Sequence, residues 1–135
     1  MRTLFTIILT ILAFTIFAQN TVNWIGGTPG RETTWNEARN WSNYHVPDYF
    51  SNVIIPDVST TTRSYPLIKE GTTAELNSLS IESNARLFVE EGAQLFIYNY
   101  AVGLENNKPY VKGIIFLMPE DDSLHADIPY KGRRN

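Results

Sequence analysis

An all-β fold, specifically a short right-handed parallel β-helix or β-solenoid with a Trp-rich N-terminal cap, is what this sequence predicts. Three observations carry the expectation. Beyond the first 18 residues almost no apolar pattern recurs at helical spacing. From Val53 onward, β-branched and aromatic residues come in short runs divided by Gly, Asn, Ser and Pro. From Leu79 the chain repeats every eight residues, as LSIESNAR, LFVEEGAQ and LFIYNYAV.

The opening segment, residues 1–18, has the make-up of a secretory signal peptide. Arg2 gives a short positive start, Leu4 to Phe17 is apolar apart from threonines, and Ala18 offers a small residue for cleavage. The apolar core is shorter than the roughly 20 residues a membrane-spanning helix needs, so no transmembrane segment is expected after cleavage. Removing it leaves about 117 residues, enough for one modest core. Cys is absent, which excludes a disulfide scaffold and thiolate metal sites in an exported chain. The whole chain carries a net charge of −3 from 11 basic and 14 acidic residues, and loss of Arg2 makes it −4. Nucleic acid is therefore not an expected partner.

Residues 19–52 read as a Trp-rich cap and entry loop. Thr34-Trp-Asn-Glu37 has the spacing of a capping box, which predicts a short helical turn. Asn40, Ser42 and Asn43 then compete for backbone hydrogen bonds, and Pro47 prevents the helix from resuming. Trp24, Trp35 and Trp41 precede the first clear strand. They are the candidate structural cap, because large amphipathic rings can cover an open coil end and still satisfy a ring N–H at its rim.

The solenoid coils are expected over residues 53–118. VIIP (53–56), PLI (66–68) and ELNSLSI (75–81) are the first strands, and Ser59 to Ser64 is loop-like with room for an edge strand. In the octads, Leu79, Leu87 and Leu95 are equivalent, Ile81, Val89 and Ile97 follow two places later, and Ala85, Ala93 and Ala101 close each unit. A two-residue period puts each Leu and the following Ile or Val on one face, with Ser80, Phe88 and Phe96 on the other. Asn84 or Gly92 lets the chain bend, and the small Ala fits the corner. The same pattern would also suit an antiparallel β-sandwich. The corner Ala and the lack of Asn-Gly or Asp-Gly hairpin turns favour the solenoid. GIIFLM (113–118) reads as one more buried strand, and 119–135 as a polar C-terminal tail.

Taken in order, Trp24-x-Gly26-Gly27, Trp35, Asn40-Trp41, Val46-Pro47, Val53-x-Ile55-Pro56, Pro66-x-Ile68, Leu79-x-Ile81 and Gly92-Ala93-x-Leu95-x-Ile97 resemble the start of secreted and surface β-solenoid proteins of Gram-negative bacteria. Those are adhesin-like and autotransporter-passenger-like chains. The resemblance spans residues 23–99 or so. It implies a secreted or cell-surface location and a non-catalytic, adhesin-like role, the chain being a short relative or a truncated piece of a longer surface protein.

Catalytic and metal-binding residues are expected to be none, and so are cofactors. No G-x-S-x-G turn occurs, and the adjacent Glu90 and Glu91 would face opposite ways in a strand. His45 and His125 have no metal-ligand partner at short spacing, and Asp121, Asp122, His125 and Asp127 fit no EF-hand loop. Gly26 and Gly27 follow no strand and open no helix, unlike a nucleotide loop. The candidate binding surface is aromatic: Phe88 and Phe96 at equivalent outward positions, with Tyr98 and Tyr100 nearby. Such rings suit an extracellular polysaccharide or another surface protein as partner. A carbohydrate-binding module using exposed aromatic side chains is the alternative function.

Overall fold

The computed structural model describes residues 20–118. Residues 1–18, expected to be a signal peptide, and 119–135, expected to be a polar tail, with Asp121, Asp122, His125 and Asp127, lie outside the described residues. The described chain is all-β, with nine strands: β1 (Asn20–Asn23), β2 (Ser51–Ile55), β3 (Leu67–Ile68), β4 (Thr73–Leu76), β5 (Ser78–Ile81), β6 (Phe88–Val89), β7 (Gln94–Ile97), β8 (Ala101–Val102) and β9 (Ile114–Leu117). They form three sheets, in the orders β1-β2-β5-β8, β3-β6 and β4-β7-β9.

Every pairing between these strands is parallel. An antiparallel sandwich would need hairpin neighbours, and the single antiparallel contact among the described residues is the isolated bridge between Trp24 and Trp41. Register sets the core. Val53 lies beside Leu79 and Leu79 beside Ala101 in the first sheet. Ile68 lies beside Val89 in the second, and Ala74, Leu95 and Ile115 form a row in the third, followed by Leu76, Ile97 and Leu117. Each row holds residues of one parity, so one apolar face of every strand joins a single core cluster running from Val22 to Ile97.

The octads map onto this arrangement in a particular way. Leu79, Leu87 and Leu95 are all fully buried in one cluster, but each lies on a different side of the core: Leu79 in β5, Leu87 just before β6, Leu95 in β7. Successive octads thus fall in different sheets, and the residue beside Leu79 is Ala101, not Leu87. Asn84 (φ 67°) and Gly92 (φ 82°) hold the left-handed backbone that turns two of the corners, with buried Ala85 and Ala93 just behind them. Ala101 is no corner residue. It opens β8.

Five local expectations are corrected. A strand, β1, precedes the first expected one, and β2 begins at Ser51 rather than Val53. ELNSLSI divides into β4 and β5 at Asn77, a one-residue corner. Ser59 to Ser64 carries no strand. The helical turn is a 3-10 turn over Ala38–Asn40 whose N-cap is Glu37, not Thr34; the Glu37 side chain accepts from the Arg39 backbone N–H, while Thr34 bridges to Leu67. Finally, β9 is not fully buried: Ile114 is half exposed, and Ile115, Phe116 and Leu117 are intermediate.

Candidate functional site

The two places expected to matter, the tryptophans and the outward aromatics, are built very differently. Trp24, Trp35 and Trp41 are 2%, 1% and 0% exposed. Trp41 stands between the other two, edge-on to both, with ring centroids 4.9 Å from Trp24 and 4.7 Å from Trp35. Such T-shaped contacts let the positive ring edge meet the negative face. The Trp41 ring N–H donates to the Trp35 carbonyl (2.8 Å), and that of Trp24 to the Ser64 carbonyl (2.7 Å). The Trp35 ring N–H is buried and has no acceptor among the described residues. Gly26 (φ 65°) fits beneath this contact because a Cβ there would come within 2.8 Å of the Trp24 ring nitrogen and 2.7 Å of the Ser64 carbonyl oxygen.

Asn40, fully buried, organises the loop that carries these rings. Its Oδ1 accepts from the Thr28 N–H (3.0 Å), and its Nδ2 donates to the Arg31 (2.8 Å) and Thr34 (3.0 Å) carbonyls. Its own carbonyl accepts from Ile25 and Gly26. Beside it, Glu37 takes hydrogen bonds from Arg39 (2.8 Å) and Arg31 (3.2 Å). The Arg39 guanidinium, then the Arg39 backbone N–H, hold the Glu37 carboxyl below its ordinary pKa.

The outward aromatics do not form one platform. Phe88 belongs to the second sheet and meets Tyr110 (centroids 5.1 Å), over which Arg86 also lies at 5.2 Å. Phe96 belongs to the third and stacks on Phe116, 4.5 Å apart and 9° from parallel. Each Phe is thus partly covered by a ring from a later segment of the chain. Tyr98 and Tyr100 sit on either side of the corner between the third and first sheets. There Tyr98 meets Tyr49 (4.5 Å), and Tyr49 meets Phe50 (5.1 Å). The Tyr98 hydroxyl donates to Glu75 (3.2 Å); burial first, and then this carboxylate, raise its pKa.

Around the corner, the outer face of the first sheet presents Thr21, Asn52 and Ser78 as register partners. The Leu79 N–H bonds the Tyr100 carbonyl, which sets Tyr100 at the end of that row. Together with Ile54 and Ser80 these residues line a shallow concavity of about 190 Å³. Asn52 Oδ1 accepts from both Ser78 Oγ and Asn77 Nδ2 at 2.7 Å, which fixes the floor. Tyr100, 53% exposed, is the aromatic wall, and Phe50, 73% exposed, stands at the corner. The site therefore retains Tyr98 and Tyr100, sets Phe88 and Phe96 apart, and gains Tyr49, Phe50, Asn52 and Ser78. The paired aromatics of Tyr49-Phe50 were a visible signal in the sequence.

His45 is exposed, as is Glu91, and Glu90 is half-buried and bonded to the Glu70 N–H. Among the described residues, no three acidic or histidine side chains are grouped so as to hold a metal ion, and no helix is long and apolar enough to cross a membrane.

Fold and site together define a class: an all-β protein of three parallel sheets, with three packed indoles in its core and an aromatic-walled concavity on one outer face. The chain belongs to a family described as a domain of unknown function (DUF8693), which matches residues 23–108. That span takes in all three tryptophans, Asn40, and Asn52, Ser78 and Tyr100. Neither the curated proteins nor the solved structures compared gave a match.

Proposed function

We propose that this chain is a non-catalytic, exported, right-handed β-solenoid module, adhesin-like or a piece of a larger surface protein, whose outer face engages extracellular polysaccharide. The observation that carries the scaffold is the register. Successive partners lie about one rung apart, from Leu79 to Ala101 and from Gln94 to Ile114, and the inward rows keep their parity from rung to rung. Strands that always pair in parallel require a crossover between them, and such crossovers are overwhelmingly right-handed. The apolar first 18 residues support export. Trp24, Trp35 and Trp41 serve as the cap on the N-terminal end of the coil.

The binding role rests on the outer face. Phe50 and Tyr100 stay largely in water although each is large enough to bury, Tyr49 is exposed beside them, and Asn52 and Ser78 beside Tyr100 supply a fixed polar floor. A sugar ring offers what such a surface takes: C–H groups for stacking and hydroxyls for hydrogen bonding. The test is retention of the purified protein on insoluble cellulose, chitin and xylan. Retention on at least one, lost in Tyr100→Ala and in Phe50→Ala without a change in melting temperature, is the expected result. No retention on any of the three, or retention unaffected by both substitutions, contradicts the polysaccharide reading.

A further inference from the structure

The outer face of the first sheet carries a line of side chains that runs across its strands. Thr21, Asn52 and Ser78 are register partners in β1, β2 and β5, and Tyr100 continues the line just ahead of β8, held there by the Leu79 N–H. Neighbouring strands lie about 4.8 Å apart, close to the length of one sugar residue in an extended glycan. Asn52 is the hub of the line. Its Oδ1 lies 2.7 Å from both Ser78 Oγ and Asn77 Nδ2, so the other end of the amide, with two N–H donors, turns away from them. Ser78 is itself buried and serves to hold that orientation, whereas Thr21 and Tyr100 are exposed.

We propose that this line binds the interior of an uncharged, extended polysaccharide chain laid across the four strands, one sugar residue to a strand, with Tyr100 under one ring and the Asn52 amide donating to a hydroxyl of another. The proposal rests on the polysaccharide reading above and narrows it to a class of ligand. Charge supplies the first argument. The strands of the first and third sheets contain one charged residue, Glu75, and no Lys or Arg. The corner beside them adds Asp48, whose Oδ1 accepts from the Phe50 N–H (3.0 Å) and the Ser51 hydroxyl (3.1 Å). Glu75 is bound by the Tyr98 hydroxyl. Both carboxylates thus stand beside aromatic residues of the site, and neither has a cationic partner among the described residues. A uronate or sulfated chain would meet this negative field with no cation to offset it, and a neutral chain is unaffected.

Shape supplies the second. The concavity holds about 190 Å³, below the roughly 300–1,000 Å³ of sites that enclose a small ligand. It fits part of a chain passing over it, so affinity has to build up along the line instead of in one deep pocket. Chemistry supplies the third. Beside the line, Ile54, Ser80 and Val102 form a second row of alternating apolar and polar groups. A pyranose with equatorial hydroxyls has apolar faces and polar edges, which such a surface matches.

Titration calorimetry of the full chain tests this, with soluble oligomers of the cellulose, xylan and chitin series and with oligogalacturonate. In at least one neutral series, affinity should rise about tenfold or more from two residues to four, as two further weak contacts would give, and level off beyond four. Oligogalacturonate should bind at least about tenfold more weakly, and raising NaCl from about 0.05 to 0.5 M should leave the neutral affinity unchanged. Asn52→Asp keeps the acceptor for Ser78 and Asn77 but removes both donors; Thr21→Val changes an exposed position at the far end of the line. Each should weaken the four-residue oligomer about fivefold or more. Should Asn52→Asp lower the melting temperature, Thr21→Val alone decides. One residue bound as tightly as four, oligogalacturonate bound as well as the neutral oligomers, or affinity that survives the substitutions overturns the proposal and leaves the polysaccharide reading standing. So does retention on an insoluble polymer without binding of any soluble oligomer, which would mean a surface that reads a packed array of chains. Binding to neither oligomer nor polymer would instead bring down the polysaccharide reading itself.

Discussion

The two ends of the core bury apolar side chains by different means. At the N-terminal end three indoles, each at most 2% exposed, are locked edge to face and held by a loop whose hub, Asn40, satisfies three neighbouring backbone groups. At the other end, among the described residues, the same kind of inward row finishes on Ile115 and Leu117, which are only partly buried. In the solenoid proposed above, the difference is how a repeating structure is finished. A rung can stack on another rung of its own kind, but a terminal rung needs residues that depart from the repeat. On that proposal Trp24, Trp35, Asn40 and Trp41 are such residues, and none fits the octad.

Breaking the sealed end should have the largest effect. Trp41→Ala removes the ring that the other two indoles share and should cost about 4 kcal/mol of unfolding free energy in urea denaturation. Leu117→Ala, at the other end, should cost only about 1–2 kcal/mol, because less area leaves water there. Equal costs would erase the contrast. Next is Asn40→Ala, expected to cost about 3 kcal/mol, since it strands the Thr28 N–H and the Arg31 and Thr34 carbonyls in a buried loop. A variant as stable as the parent would show that water reaches those groups.

Acid should act on the same end. The folded-state pKa of Glu37 is lowered, so its contribution is present above the ordinary carboxylate pKa and is lost as pH falls through the lower, folded value. Denaturation midpoints measured downward from pH 5 should therefore fall more steeply in the parent than in Glu37→Gln. Parallel curves would remove Glu37 from the account. The smallest effect separates two neighbouring rings. Trp35→Phe loses an N–H that has no acceptor among the described residues, whereas Trp41→Phe also loses a 2.8 Å hydrogen bond. Thermal melts should rank Trp41→Phe the less stable by about 1 kcal/mol.

The strands at 53–56 and 66–68 and the Leu-x-Ile pairs were legible in the sequence because a two-residue period is a local property. The strand pairing was not. It depends on which distant strands come together, so the octads predicted which residues point inward but not that Phe96 stacks on Phe116 rather than lying beside Phe88. β1 was hidden because Asn-Thr-Val-Asn has one apolar residue. Asn77 was hidden because a one-residue corner leaves the alternation on each side looking continuous. The Glu37 cap displaced the Thr34 cap because Arg31 and Arg39, six and two residues away, hold that carboxylate in place, contacts that the capping-box spacing does not take into account. Of the outer site, Tyr98 and Tyr100 were visible as aromatics, but their separation from Phe88 followed only from the sheets.

The solenoid proposed above requires strands that stack in parallel about one rung apart. The most direct measurement exploits the absence of native Cys. Thr73 and Gln94 are register partners on neighbouring strands of the third sheet, about 4.8 Å apart by strand spacing and so within disulfide reach. Thr73→Cys combined with Gln94→Cys should oxidise to an intramolecular cross-link under native conditions. Failure to cross-link, or linkage only between separate molecules, would contradict the account.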